Sequence, residues 1–122
     1  MEVSRRYTAE IMHWLPNVPD GHKCKNPHGH SYVIWVTVYG ELDKVLGWVK
    51  DYADIDAIVA PFIAQLDHHN VNDLVPNSTA ENVCLWLADR IAESKLRVSC
   101  IELHETERAK CVLRWPLGMK VP

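Results

Sequence analysis

The sequence predicts an α+β fold in which two helices cover one face of an antiparallel sheet, in the order ββααββ. Three observations lead there. Residues near the start alternate apolar and polar with a period of two, as a half-buried strand does. From Asp51 the period changes to the 3.6 of a helix and stays there through Ile91. After Val98 the β-type pattern returns.

Tyr7, Ala9, Ile11 and His13 alternate with Thr8, Glu10 and Met12, which gives the first strand. His30 through Tyr39 is rich in β-branched and aromatic residues and gives the second. Trp14 to Pro27, with three prolines plus Asn, Asp and Gly, is too long for a routine hairpin loop, and long ordered loops usually carry function. Ile55, Ile58, Val59, Phe62, Ile63 and Leu66 form a stripe on one helical face. Ser78-Thr79-Ala80-Glu81 has the spacing of a capping box, after which Ala80, Val83, Cys84, Leu87, Ala88 and Ile91 repeat the stripe. Val98 to Glu105 and Cys111 to Trp115 read as strands around a turn at Thr106-Glu107-Arg108-Ala109. In the second strand both alternating sets, Tyr32/Ile34/Val36/Val38 and Val33/Trp35/Thr37/Tyr39, are largely apolar. Two helices cover only one of these faces, so the other is expected against a further subunit.

At 122 residues the chain is long enough for one domain with a real core, expected over residues 1–122. A formal net charge of −3 with scattered Lys and Arg gives no footprint for nucleic acid or an anionic membrane, and points to a small-molecule partner. There is no apolar run of membrane-spanning length, and the first residues lack the apolar centre of a secretory signal, so a cytoplasmic location is expected. Four cysteines with no CxxC read as reduced thiols, three buried and Cys24 chemical.

The chemistry concentrates in a few positions. His28 and His30, two apart at the head of a strand, project from one face and can reach one ion. His13 ends the neighbouring strand, and three neutral imidazoles without an obvious fourth ligand match a catalytic zinc site that keeps one position open. Cys24, four residues before His28, fits a thiolate base or nucleophile, and equally fits a fourth zinc ligand or a passive loop thiol. Asp67-His68 joins a carboxylate to an imidazole, as a proton relay does, or as a histidine at a helix C-terminus does. Glu105 alternates with Ile101 and Leu103, so its carboxylate points either into a covered site or into an ordinary salt bridge.

Several segments together resemble a known family. His13 to Cys24, His28-Gly29-His30-Ser31-Tyr32, Gly47-Trp48-Val49-Lys50-Asp51-Tyr52, Leu66-Asp67-His68-His69, Thr79-Ala80-Glu81-Asn82 and Glu105-Thr106 are similar to the 6-pyruvoyltetrahydropterin synthase/QueD family over nearly the whole chain. The short Cys24-to-His28 spacing and the Gly-Trp-x-x-Asp segment resemble its 6-carboxy-5,6,7,8-tetrahydropterin synthase branch, whereas animal-type members have a longer spacing. The chain departs from the family's Phe-x-Ala-x-His in its first strand, and Val71 stands where Leu is more usual before Asn72, a difference read as one of packing.

The resemblance implies the T-fold, whose ββααββ subunits assemble into a β-barrel trimer or a hexamer with active sites between subunits. It implies zinc (Zn2+) on His13, His28 and His30, Cys24 as proton acceptor, Asp67 with His68 as its relay, and Glu105 as pterin anchor, helped by Thr79 and Glu81. The implied reaction converts 7,8-dihydroneopterin triphosphate to 6-carboxytetrahydropterin, with loss of triphosphate and acetaldehyde, on the way to 7-deazaguanines such as queuosine. Two rivals stand beside it: elimination without side-chain cleavage, as in a 6-pyruvoyltetrahydropterin synthase, and a non-catalytic, metal-containing binding module.

Overall fold

A computed structural model describes residues 1–116; of the expected domain, 117–122 lie outside the described residues. Strand β1 spans Glu2–His13 and β2 His28–Tyr39, followed by helix α1, Tyr52–Leu66. A two-residue strand, β3, covers His69–Asn70 before α2, Ala80–Ala92. Strands β4, Val98–Thr106, and β5, Ala109–Arg114, complete the elements of the described residues. The sheet order is β3-β1-β2-β4-β5, antiparallel except where β3 runs parallel to the edge of β1. The expected ββααββ order is present, with β3 as an addition. Two residues carry no period for a sequence pattern to reveal.

One alternating set of the sheet is buried beneath the helices. Tyr32, Ile34, Val36 and Val38 face that side with Ala9 and Ile11 of β1 and Ile101 and Leu103 of β4. They meet Ile55, Val59, Ile63 and Leu66 from α1, and Val83, Cys84, Leu87, Ala88 and Ile91 from α2. Every apolar residue of the expected α2 stripe is buried. On the other face Trp35 and Val112 stay exposed, among polar pairs such as Ser4 with Thr37. All four cysteines are free; Cys84 and Cys100 are buried, and Cys111 is only half-buried, short of the expectation for it. Among the described residues no helix is long and apolar enough to cross a membrane.

The helix start differs in detail from the expected capping box. Thr79, not Ser78, is the N-cap of α2, its Oγ1 accepting from Asn82 N at 3.2 Å. Ser78 is fully buried and turned to the end of β1. At the opposite end of the sheet, α1 is tied to β1 by Asp56, which accepts two bonds from Arg5 at 3.0 and 2.8 Å and one from Tyr7 Oη at 2.7 Å.

These bonds hold the Asp56 carboxyl below its usual range, Arg5 contributing most and Tyr7 next. A depressed carboxyl pKa stabilises the fold above the unfolded-state value and ceases to do so as pH falls through the folded one. Asp56→Asn should therefore lower the thermal midpoint at pH 7, and the gap from the parent should shrink below about pH 4. Melting curves from pH 7 to pH 2 check this; a gap independent of pH would contradict it.

Candidate metal centre and active site

The β1–β2 register sets the site. His13 pairs with His28 and Ile11 with His30, and directly opposed residues in antiparallel strands share a face. All three imidazoles therefore emerge on the helix-covered side, at the end of the sheet where the long loop leaves β1. Gly29 between the two β2 histidines lies against β1; a Cβ there would sit 3.3 Å from Ile11 O. One ring nitrogen from each of His13, His28 and His30 lies within 4.8 Å of the others, and each Nε2 is buried without a hydrogen-bond partner.

Two of the rings are fixed from behind. His13 Nδ1 donates to Ser78 O at 2.8 Å and His28 Nδ1 to Asn26 O at 2.7 Å. A proton committed at Nδ1 leaves Nε2 as a bare lone pair aimed at the shared centre, the arrangement by which carbonyls orient metal-binding histidines. His30 stacks on Tyr32, centroids 6.2 Å apart and planes 12° apart. Its Nε2 lies 3.1 Å from Glu105 Oε1. Burial, the largest influence, holds His30 below the ordinary histidine range against the opposing pull of Glu105, so this contact is not an ion pair at neutral pH. Burial likewise lowers His13, against the bond to Ser78 O. Gathered within reach of one another, two of them on rings fixed from behind, the three nitrogens fit a divalent ion that prefers imidazole and tolerates an open position, as zinc does.

The other expected residues divide into those near this centre and those away from it. Glu105 follows His104, which pairs with Val33, and its carboxylate reaches His30, the covered-site reading. Beside it is a cleft of about 500 Å³ that His30, Ser31, Val33, His104 and Thr106 also line. The cleft opens partly on the uncovered side of the sheet. Cys24 is half-buried in a single 3-10 turn, Lys23–Lys25. Its carbonyl accepts from Leu15 N at 2.8 Å. Among the described residues the metal-compatible cluster consists of the three histidines and does not include the Cys24 thiol. Thr79 caps α2 directly after Ser78, and Glu81 is exposed in the first turn of that helix.

Asp67 and His68 do pair, His68 Nδ1 to Asp67 Oδ2 at 3.0 Å, but on the β3 edge of the sheet. Asp67 Oδ1 also accepts from Glu10 N at 2.8 Å, and that bond chiefly holds its carboxyl below the usual range, with His68 adding to it. His68 has φ +58°, rare for a residue with a Cβ, and its N–H is bound to Glu10 O at 2.6 Å. Its side chain is 78% exposed. Three strand spacings separate β3 from β4, roughly 14 Å, so within one chain the pair does not reach Glu105. Ser78, Asn26 and Tyr32 were not legible as site residues. Two act through backbone carbonyls, which side-chain identity does not report, and Tyr32 reads as a core residue.

A small α+β protein with a three-histidine cradle at one end of a helix-covered sheet belongs to the class of metal-capable T-fold proteins. A profile described as 6-pyruvoyl tetrahydropterin synthase matches residues 2–115, and the chain belongs to that family. It is 32% identical over 91 residues to the dihydroneopterin monophosphate aldolase of Pyrococcus furiosus, covering 72% of this chain and 78% of that one. A putative 6-carboxy-5,6,7,8-tetrahydropterin synthase of Archaeoglobus fulgidus is 33% identical, with 75% and 78% covered. The human 6-pyruvoyl tetrahydrobiopterin synthase is 37% identical over 106 residues, with 74% and 73% covered. Among solved structures, the 6-pyruvoyl tetrahydropterin synthase of Caenorhabditis elegans superposes with a TM-score of 0.84 at 22% identity, over 95% of this chain and 96% of that one, and supports the fold.

His28→Ala should weaken zinc binding at least about 100-fold, because two imidazoles cannot hold an open site, whereas Cys24→Ala should keep its zinc. Metal analysis after dialysis against a chelator of graded affinity distinguishes them. Full occupancy in His28→Ala, or loss in Cys24→Ala, would overturn the three-histidine assignment.

Proposed function

We propose that this protein is a zinc lyase that converts 7,8-dihydroneopterin triphosphate to 6-carboxy-5,6,7,8-tetrahydropterin, taking up water and releasing acetaldehyde and triphosphate. The observation that carries the reading is the convergence of three imidazole nitrogens without hydrogen bonds, one of which, on His30, lies beside the Glu105 carboxylate where both residues line a cleft. Zinc on His13, His28 and His30 would supply Lewis acidity toward the side-chain hydroxyls of the substrate. Glu105 accepts two parallel N–H bonds from the amino and ring edge of the pterin and so aims the side chain at the histidines. Thr79 and Glu81, at the start of α2, help seat the ring.

Cys24 takes a proton from a side-chain carbon, and His68, its ring held by Asp67, moves protons at the hydroxyls from the opposite side. After loss of triphosphate, water adds to the side-chain carbonyl carbon attached to the ring. The bond from that carbon to the next then breaks in a retro-aldol-type cleavage, leaving the carboxyl group while the terminal two carbons take up a proton and depart as acetaldehyde. In one chain Asp67 and His68 lie on the edge remote from Glu105, and this favours completion of the site by a second copy. Exposed Trp35 and Val112 on the uncovered face favour the same assembly, a trimer or hexamer. The product would feed 7-deazaguanine synthesis, such as that of queuosine, in the cytoplasm.

The short Cys24-to-His28 spacing supports cleavage; the human relative's name supports a second reading, elimination to a 6-pyruvoyl product. Incubating zinc-loaded protein with the triphosphate, and separately with dihydroneopterin monophosphate, followed by mass analysis, decides between them. Acetaldehyde and a 6-carboxypterin from the triphosphate are expected. A pyruvoyl product without acetaldehyde would overturn cleavage; turnover of the monophosphate alone would move the assignment to an aldolase.

Glu105→Gln should leave zinc content and oligomeric state unchanged and weaken pterin binding at least about tenfold, since the amide presents a donor where the ring edge also donates. Titration with a non-reactive pterin checks this. Equal affinities would make Glu105 an ordinary strand-end carboxylate.

A further inference from the structure

The junction between β1 and the long loop is bonded more heavily than the end of a strand requires. Trp14 N donates to Asn72 Oδ1 at 2.9 Å, and Asn72 Nδ2 donates back to Trp14 O at 2.8 Å and on to Pro76 O at 3.0 Å. The single side-chain amide thus uses its oxygen and both its N–H groups. Asn72 is itself held: its backbone N–H donates to Asn70 Oδ1 at 3.1 Å, in a 3-10 turn over Val71–Asp73 that fully buried Val71 anchors. Packing accounts for Val71, not for the amide of Asn72.

The residue gripped in this way has chemistry on either side. His13, immediately before Trp14, is bonded to Ser78 O, and Ser78 Oγ donates to Trp14 O at 3.2 Å. Leu15, immediately after, is bonded to the carbonyl of Cys24. Pro76, the third partner of Asn72, lies in the segment leading to Ser78 and to the start of α2. We propose that Asn72 is a positioning residue: through the Trp14 peptide and Pro76 it fixes His13, the Cys24 loop and the entrance of α2 relative to one another. The grip requires an amide. A carboxylate of the same shape keeps one acceptor and turns its other oxygen toward two carbonyls, while a methyl group makes none of the bonds.

In its metal arm the proposal rests on the zinc reading above; the other arms use metal-free protein. Asn72→Asp and Asn72→Ala should bind zinc roughly tenfold more weakly in chelator competition, the scale seen when groups behind metal ligands are removed. In both, the rate of Cys24 alkylation by iodoacetamide, followed by peptide mass, should change several-fold. Ile91→Val, a core control, should lower the thermal midpoint while leaving both readouts within twofold of the parent. Folded Asn72 variants within twofold on both measures, or equal changes in Ile91→Val, would overturn the proposal. If neither variant folds, hydrogen exchange of the parent protein decides: a Trp14 amide as slow as the β1 amides supports the latch, and one as fast as unbonded loop amides overturns it. Failure of the parent to bind zinc would defeat the metal reading alone, since alkylation and exchange still test the latch.

Discussion

The antiparallel register that sets His13 opposite His28 governs the chemistry of this protein. A slip of one residue would turn the β2 histidines to the uncovered face and the apolar set Tyr32, Ile34, Val36 and Val38 to solvent. The core therefore fixes the histidine cluster, because the pairing that buries these side chains is the pairing that gathers the imidazoles. What the core does not supply is ring orientation. That comes from two carbonyls, Ser78 O at the entrance to α2 and Asn26 O at the exit of the loop.

The cradle is held ready at a cost in stability. Buried polar atoms without partners cost about 1–3 kcal/mol each, and three imidazole nitrogens share one small space in this condition. A divalent ion bound by all three would recover that cost, so its binding would be linked to folding stability. The uncommon backbone conformation of His68 is a second local cost, offset by its bonds to Glu10 and Asp67. Both costs fall on groups with roles in the proposed reaction, though the first is shared by two core residues, Tyr32 at Oη and Trp115 at Nε1, which are also buried without a hydrogen-bond partner.

Much of this was legible in the sequence because it depends on periodicity. The strand alternation and the two helical stripes placed four strands and two helices, and the spacing of His28 and His30 gave their common face. Glu105 on the site side follows from its alternation with Ile101 and Leu103. The illegible parts are those where backbone atoms or distant residues act. Ser78 has the spacing of a helix cap, but it is spent on His13 and Trp14 while Thr79 caps the helix. Strand β3 is too short to show a period, and Asn72 grips a residue 58 positions away. Sequence adjacency of Asp67 and His68 reported their contact, and gave no sign that the sheet order sets them apart from Glu105.

In the proposed reading, His13, His28 and His30 alone hold zinc, and Cys24 stays out of the coordination shell for proton transfer. X-ray absorption at the zinc edge of the substrate-free protein tests it most directly. Nitrogen and oxygen neighbours at about 2.0–2.1 Å with the multiple-scattering pattern of three imidazoles are expected. A sulfur neighbour at about 2.3 Å would contradict it and make the site a closed one.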